Sequence, residues 1–144
     1  MFTITARAAT LFLLATAASG AAAETDLVAQ GEEVFGRVCF DCHNAVQPSP
    51  DMIAPPIFAA KNHYAAFTTR EDFVAAVSAF LLDPQEATAQ MPGAIGQFGL
   101  MPPPEVTEAE AVAVAEYLFA TDFSLPDWYL EHYQQEHGEA PANN

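Results

Sequence analysis

The chain is short of cations, short of cysteine and without strand patterning. Four Lys or Arg residues stand against nineteen Asp or Glu among its 144 residues, a net charge of −15 at pH 7. Nucleic acid and anionic membrane surfaces are poor partners for such a chain. Cysteine occurs twice, at Cys39 and Cys42. A zinc site would need two further ligands, and no second C-x-x-C or H-x-x-x-H follows. Nowhere do Val/Ile/Thr runs alternate between Asn-Gly turns, and no internal repeat is present. The expectation is an all-α chain of one domain, not two.

Apolar residues make up 51% of the sequence, but part of that content precedes the core. One cation, Arg7, is followed by the apolar run AATLFLLATAASGAAA ending in Ala21-Ala22-Ala23. A short charged region, a short apolar region and a small-residue A-x-A site predict a secretory signal peptide over residues 1–23. Export to the periplasm follows as an expectation, with no membrane span left after removal. Without Arg7 the fixed cations are Arg37, Lys61 and Arg70, three against nineteen carboxylates, a net charge of −16. A partner with a basic docking face is the simplest consequence, with salt-dependent encounter.

The exported part reads as helices separated by proline-rich loops. Leu27, Gly31, Val34, Phe35 and Val38 recur at helical spacing and lead into Cys39, with Thr25 or Asp26 as cap. Prolines 48, 50, 55 and 56 predict an irregular segment with one short helical turn. A capping box starting at Thr68 opens a helix carrying Phe73, Val74, Val77, Phe80 and Leu81. Residues 83–105 have no periodicity but many Gly and Pro, a long loop of the kind that carries function. Thr107 and Glu110 open the next helix, with Val114, Tyr117, Leu118 and Phe119. A last short helix is expected within residues 124–138, capped by Ser124 and stopped by Gly138. The predicted division is residues 1–23, 24–123, and an appended helix and tail over 124–144.

Cys39, Cys42 and His43 form a C-x-x-C-H motif. A redox dithiol of this spacing usually opens a helix in a βαβ setting, which is absent here. Half a zinc site lacks its other half. The remaining chemistry is haem c: each thiol adds across a haem vinyl as a thioether, and the adjacent histidine ligates the iron.

His43 then needs an acceptor for its second ring nitrogen, and a carbonyl of the stiff proline segment suits, with Pro55 the candidate. The opposite iron face suits a thioether. Met101, held by Pro102 to Pro104, is the expected ligand, with Met91 second and Met52 too near His43 in sequence. His63 is the competing bis-histidine choice, while His132 and His137 are expected to be solvated. With both faces filled, the chemistry left is one-electron transfer rather than catalysis.

With these residues in view, the sequence resembles the class I cytochrome c family, in particular small bacterial monohaem members, over residues 26–122. The motif lies near the start of the exported part. Gly31 and Phe35 match the family's glycine and aromatic on the first helix, facing Tyr117 on the last. Pro55 falls twelve residues after His43, where the family places the proline whose carbonyl takes the histidine proton. Met101-Pro102-Pro103 matches the methionine ahead of the last helix. The resemblance implies three to five helices wrapped around one covalent haem. It implies a periplasmic electron carrier in a respiratory or photosynthetic chain, or a dedicated haem subunit of an oxidoreductase complex. The long 83–100 loop, the appended helix and the acidic surface depart from the pattern. Trp128 and Tyr129 are expected to dock that helix rather than to cover the haem.

Overall fold

The small residues of α1 (Ala17–Val38) and α6 (Glu108–Ala120) let these two helices cross in direct backbone contact. At the crossing sits Gly31, where a Cβ would run into the Ala113 carbonyl and come within 2.7 Å of the Tyr117 Cβ. One turn on, Phe35 meets Tyr117 with ring centroids 5.6 Å apart. The expected pairing of Gly31 and Phe35 with Tyr117 is therefore the one the fold makes.

The computed structural model describes residues 17–141. Those residues form seven α-helices and no strand, so the class is all-α; the expected three to five helices undercount it. Besides α1 and α6 they are α2 (Phe40–His43), α3 (Ile57–His63), α4 (Arg70–Leu82), α5 (Pro92–Phe98) and α7 (Asp127–His137). Among the described residues no helix is long and apolar enough to cross a membrane.

α6 is the central helix. It packs on α1 along one side and on α4 along the other. That explains why Ala111, Ala113, Val114, Ala115 and Leu118 are all buried on it. α4 contributes Phe73 and Val77, and Tyr64 closes the same core. Phe73 is only 1% exposed and touches Tyr64 and Phe119 at 5.9 and 5.5 Å. Burial of such a side chain stabilises by about 1.5–3 kcal/mol. Arg70 on α4 donates from Nε to Oε2 of the buried Glu116 on α6, at 2.7 Å. The buried Lys61 caps the C-terminal end of α6, donating from Nζ to the Thr121 carbonyl at 2.7 Å. A cation is favourable there because the last carbonyls carry the negative end of the helix dipole.

Helix boundaries differ from the sequence pattern in several places. α1 begins at Ala17 rather than at Thr25 or Asp26, so those residues lie inside the helix. The expected signal peptide is therefore helical over residues 17–23, and residues 1–16 lie outside the described residues. α4 is capped by Thr69, whose hydroxyl accepts from the Asp72 N–H at 3.1 Å, one residue later than the Thr68 pattern. α6 has the expected capping box, with Thr107 and Glu110 bonding each other's backbone N–H. α7 starts after Pro126, not at Ser124, and stops at Gly138, whose φ of 76° suits glycine.

One helix is longer than the single turn expected in its segment, and another lies where a loop was expected. α3 occupies the proline-rich segment because Pro55 and Pro56 precede it rather than interrupt it. α5 lies inside the 83–105 segment, with Pro92 at its first position and Gly99 at φ 83° beyond its end.

α7 docks on α3. Tyr129 is 2% exposed, packs edge-on against Phe58 at 5.2 Å, and its hydroxyl lies 3.4 Å from the Asn62 Oδ1. Trp128 donates from Nε1 to the Val46 carbonyl at 3.0 Å. Both residues serve the docking of this helix.

Candidate functional site

α2 is a single helical turn continuing from α1. The Cys39 carbonyl accepts from the Cys42 N–H at 3.2 Å and from the His43 N–H at 3.0 Å. Spacings of three and four residues put both thiols and the imidazole on one side of that turn. No disulfide joins Cys39, which is half-buried, to Cys42, which is exposed. Burial pushes the Cys39 thiol above its usual range, the neighbouring Cys42 adds to this, and Arg37 opposes it. A reactive redox thiol needs the opposite shift.

His43 is held by the segment after it. Its Nδ1–H donates to the Pro55 carbonyl at 2.7 Å. That bond fixes the tautomer, so Nε2 carries the lone pair. Burial lowers the His43 pKa and the Pro55 bond partly offsets this, which favours the neutral, ligating form.

Cys39, Cys42, His43 and Pro55 all line one cavity of about 600 Å³. This lies within the range of small-molecule and cofactor sites, about 300–1,000 Å³. Ile57 and Tyr64, then Phe73, Val77 and Phe80 of α4, and Val114 and Leu118 of α6 supply apolar walls. Burial raises the Tyr64 phenol to about 12, so it stays neutral there. The segment carrying α5 closes another side with Ile95 and Phe98.

Met91 and Met101 both line this cavity as well. They differ in surroundings. Met91 directly precedes α5 and also packs against the Phe58, Ala59 and Tyr129 cluster. Met101 belongs to neither apolar cluster and is followed at once by three prolines. Met52 does not line the cavity.

His63 does not line it either. Its Nδ1–H donates to the Ala59 carbonyl at 2.8 Å, and its ring faces Tyr133 and His137 of α7. The bis-histidine alternative therefore has no support in the geometry. His137 is exposed, as expected, and also stacks on Tyr133 at 4.2 Å. His132 is exposed and reaches Glu136 at 3.4 Å.

Sequence reasoning missed two contributors to the cavity. Lys61 lines it while capping α6. α5 lines it with apolar side chains, and its one signal was Pro92 at the first helical position.

The donor set fits haem c. Two thiols and an imidazole come from one helical turn, and a thioether lines the same apolar cavity. Among the described residues no group of three or more His, Cys, Asp or Glu is arranged to hold a metal ion. The candidate ligand pair His43 and Met101 is not of that kind. No family model, no curated protein and no solved structure matches this chain.

Proposed function

We propose that this chain is a periplasmic one-electron carrier of the class I cytochrome c type. In this reading one haem c is attached through Cys39 and Cys42 and ligated by His43 and Met101. The observation that carries the reading is the His43–Pro55 bond at 2.7 Å on the wall of the cavity that both thiols and Met101 also line. Bound haem c supplies a one-electron iron couple.

Each protein group has its own task. Cys39 and Cys42 hold the group covalently, so it is not lost between partners. The Pro55 carbonyl keeps His43 in one tautomer and one orientation. The Phe73, Val77, Val114 and Leu118 walls exclude water, which limits reorganisation when charge changes. Met101, flanked by Pro102 to Pro104, offers a sulfur whose backbone is stiff.

A second reading is that of a dedicated electron-transfer subunit. Phe40 and Val46 are 51% and 69% exposed and line one groove beside α2. Exposed apolar side chains in one place favour a lasting partner contact. The net charge of the whole chain, −15, favours a partner with a basic face.

The test is the visible and near-infrared spectrum of the exported protein made with haem-attachment machinery. Covalent haem that survives acid-acetone extraction, and no carbon monoxide binding at neutral pH after reduction, are expected. A colourless protein with two titratable thiols overturns the proposal. Co-purification with one oxidoreductase at low salt would select the subunit reading; reduction of several unrelated oxidases by a monomer would select the carrier.

A further inference from the structure

The C-terminal ends of α3 and α7 bring two histidines together. The His63 and His137 ring centroids lie 5.2 Å apart with the planes at 66°. Two imidazoles sharing one tetrahedral ion at nitrogen–metal distances near 2.0 Å have centroids about 5 Å apart. The two rings stand at that spacing although they are 74 positions apart in the sequence.

Three further features suit an ion there. First, the His63 Nδ1–H donates to the Ala59 carbonyl at 2.8 Å. A second ring nitrogen bonded to a carbonyl is the usual support of a ligating histidine, because it leaves Nε2 with the lone pair and fixes the ring. Second, Tyr133 stacks on His137 at 4.2 Å and meets His63 edge-on at 5.6 Å, which holds both rings in place. Third, the Glu136 carboxylate acts electrostatically on His63, and the whole chain is strongly anionic, so a divalent cation is attracted. His132 also acts electrostatically on His63 and pairs with Glu136 at 3.4 Å. The chain's one lysine, Lys61 on α3, is committed to the Phe119 and Thr121 carbonyls.

The geometry points to His63 and His137 as a two-histidine site for a divalent transition-metal ion of the zinc class, clamping α7 to α3. Imidazole nitrogen suits such ions, and the remaining coordination positions fall to water. A clamp at this place tethers the far end of α7, whose near end is already anchored by Trp128 and Tyr129. The inference does not rest on the haem reading, since none of its residues lines that cavity.

The test is calorimetric titration of zinc ion alone into the full, chelator-stripped chain at neutral pH. One ion per chain is expected, with release below pH 6 as the imidazoles protonate. His63→Gln and His137→Gln should each weaken it by at least about tenfold. His137 is exposed at a helix end, so its substitution tests the site without threatening the core. Zinc affinity unmoved by both substitutions overturns the site and leaves aromatic packing as the whole role of these rings. Binding that is lost instead on alkylation of Cys39 and Cys42 overturns it equally.

Discussion

His43 and Pro55 are joined by a 2.7 Å hydrogen bond from Nδ1–H to the carbonyl, twelve residues along the chain. Pro55 is well placed to hold that acceptor, because its ring fixes φ and the following Pro56 restricts its ψ. Replacing it by glycine keeps the carbonyl but frees its direction. In the proposed haem protein Pro55→Gly should leave covalent attachment intact and weaken His43 ligation, by about ten- to a hundredfold. The measurement is displacement of the low-spin spectrum by acid: its midpoint should move to higher pH. An unchanged midpoint would show that the bond does not orient the ring.

Gly31 offers a test that is independent of any cofactor. Alanine is the better helix former by about 0.5–1 kcal/mol, so Gly31→Ala would stabilise an isolated α1. Here the added Cβ meets the Ala113 carbonyl and the Tyr117 Cβ, which are fixed parts of α6 and not flexible side-chain ends. The helices must move apart, and overpacking of this kind costs about 1–3 kcal/mol. The clash outweighs the propensity gain. Net destabilisation is expected in chemical denaturation, with a lower midpoint and an unchanged slope.

Local signals explain what was readable before the fold was known. The Gly31, Phe35 and Tyr117 pairing came instead from the family resemblance, and the fold gives its reason, since a Cβ at Gly31 would meet the Ala113 carbonyl. The Thr107–Glu110 box and Gly138 each marked a helix end through their own chemistry. The Cys39–His43 turn was legible because its spacing is its geometry. α5 was not, and α3 only as one short turn, since each has only seven residues and their flanking prolines read as breakers. Proline does break a helix from within, but at the first position it opens one. The His63–Tyr133–His137 group depends on how α7 docks, and no local pattern encodes that.

His63 sets a pH dependence with a definite sign. Burial lowers its pKa below the ordinary 6.5, and neighbouring His137 and His132 act the same way, while the Ala59 bond and Glu136 oppose. Between the folded pKa and 6.5 the unfolded chain binds the extra proton and the folded chain does not. Stability therefore rises with pH in that window. It is fully present above 6.5 and is lost as pH falls towards the folded value. With chelator present, the melting temperature should drop as pH is lowered through about 6. His63→Gln should reduce that slope, the rest of it coming from groups such as His43, whose pKa burial lowers in the same direction. A wild-type slope kept by His63→Gln would assign the acid sensitivity to other groups.

Met101 and Met91 line the same cavity, and their surroundings separate them. Met91 is half committed to the Phe58–Tyr129 cluster, and its carbonyl accepts from the Ala94 and Ile95 N–H groups that open α5. Met101 follows the left-handed Gly99 by two residues and precedes three prolines, so its backbone is positioned without its side chain serving a core. Ligation by thioether raises the potential of haem iron. Met101→Ala should abolish the near-infrared sulfur-to-ferric-iron band and lower the potential by on the order of 0.1 V, a modest part of the roughly 0.8 V that axial ligands span. Met91→Ala should keep the band and instead lower stability, because truncating a partly buried methionine leaves a cavity. If the band vanishes in Met91→Ala and survives in Met101→Ala, the ligand assignment is reversed, and the three prolines then serve only to turn the chain into α6.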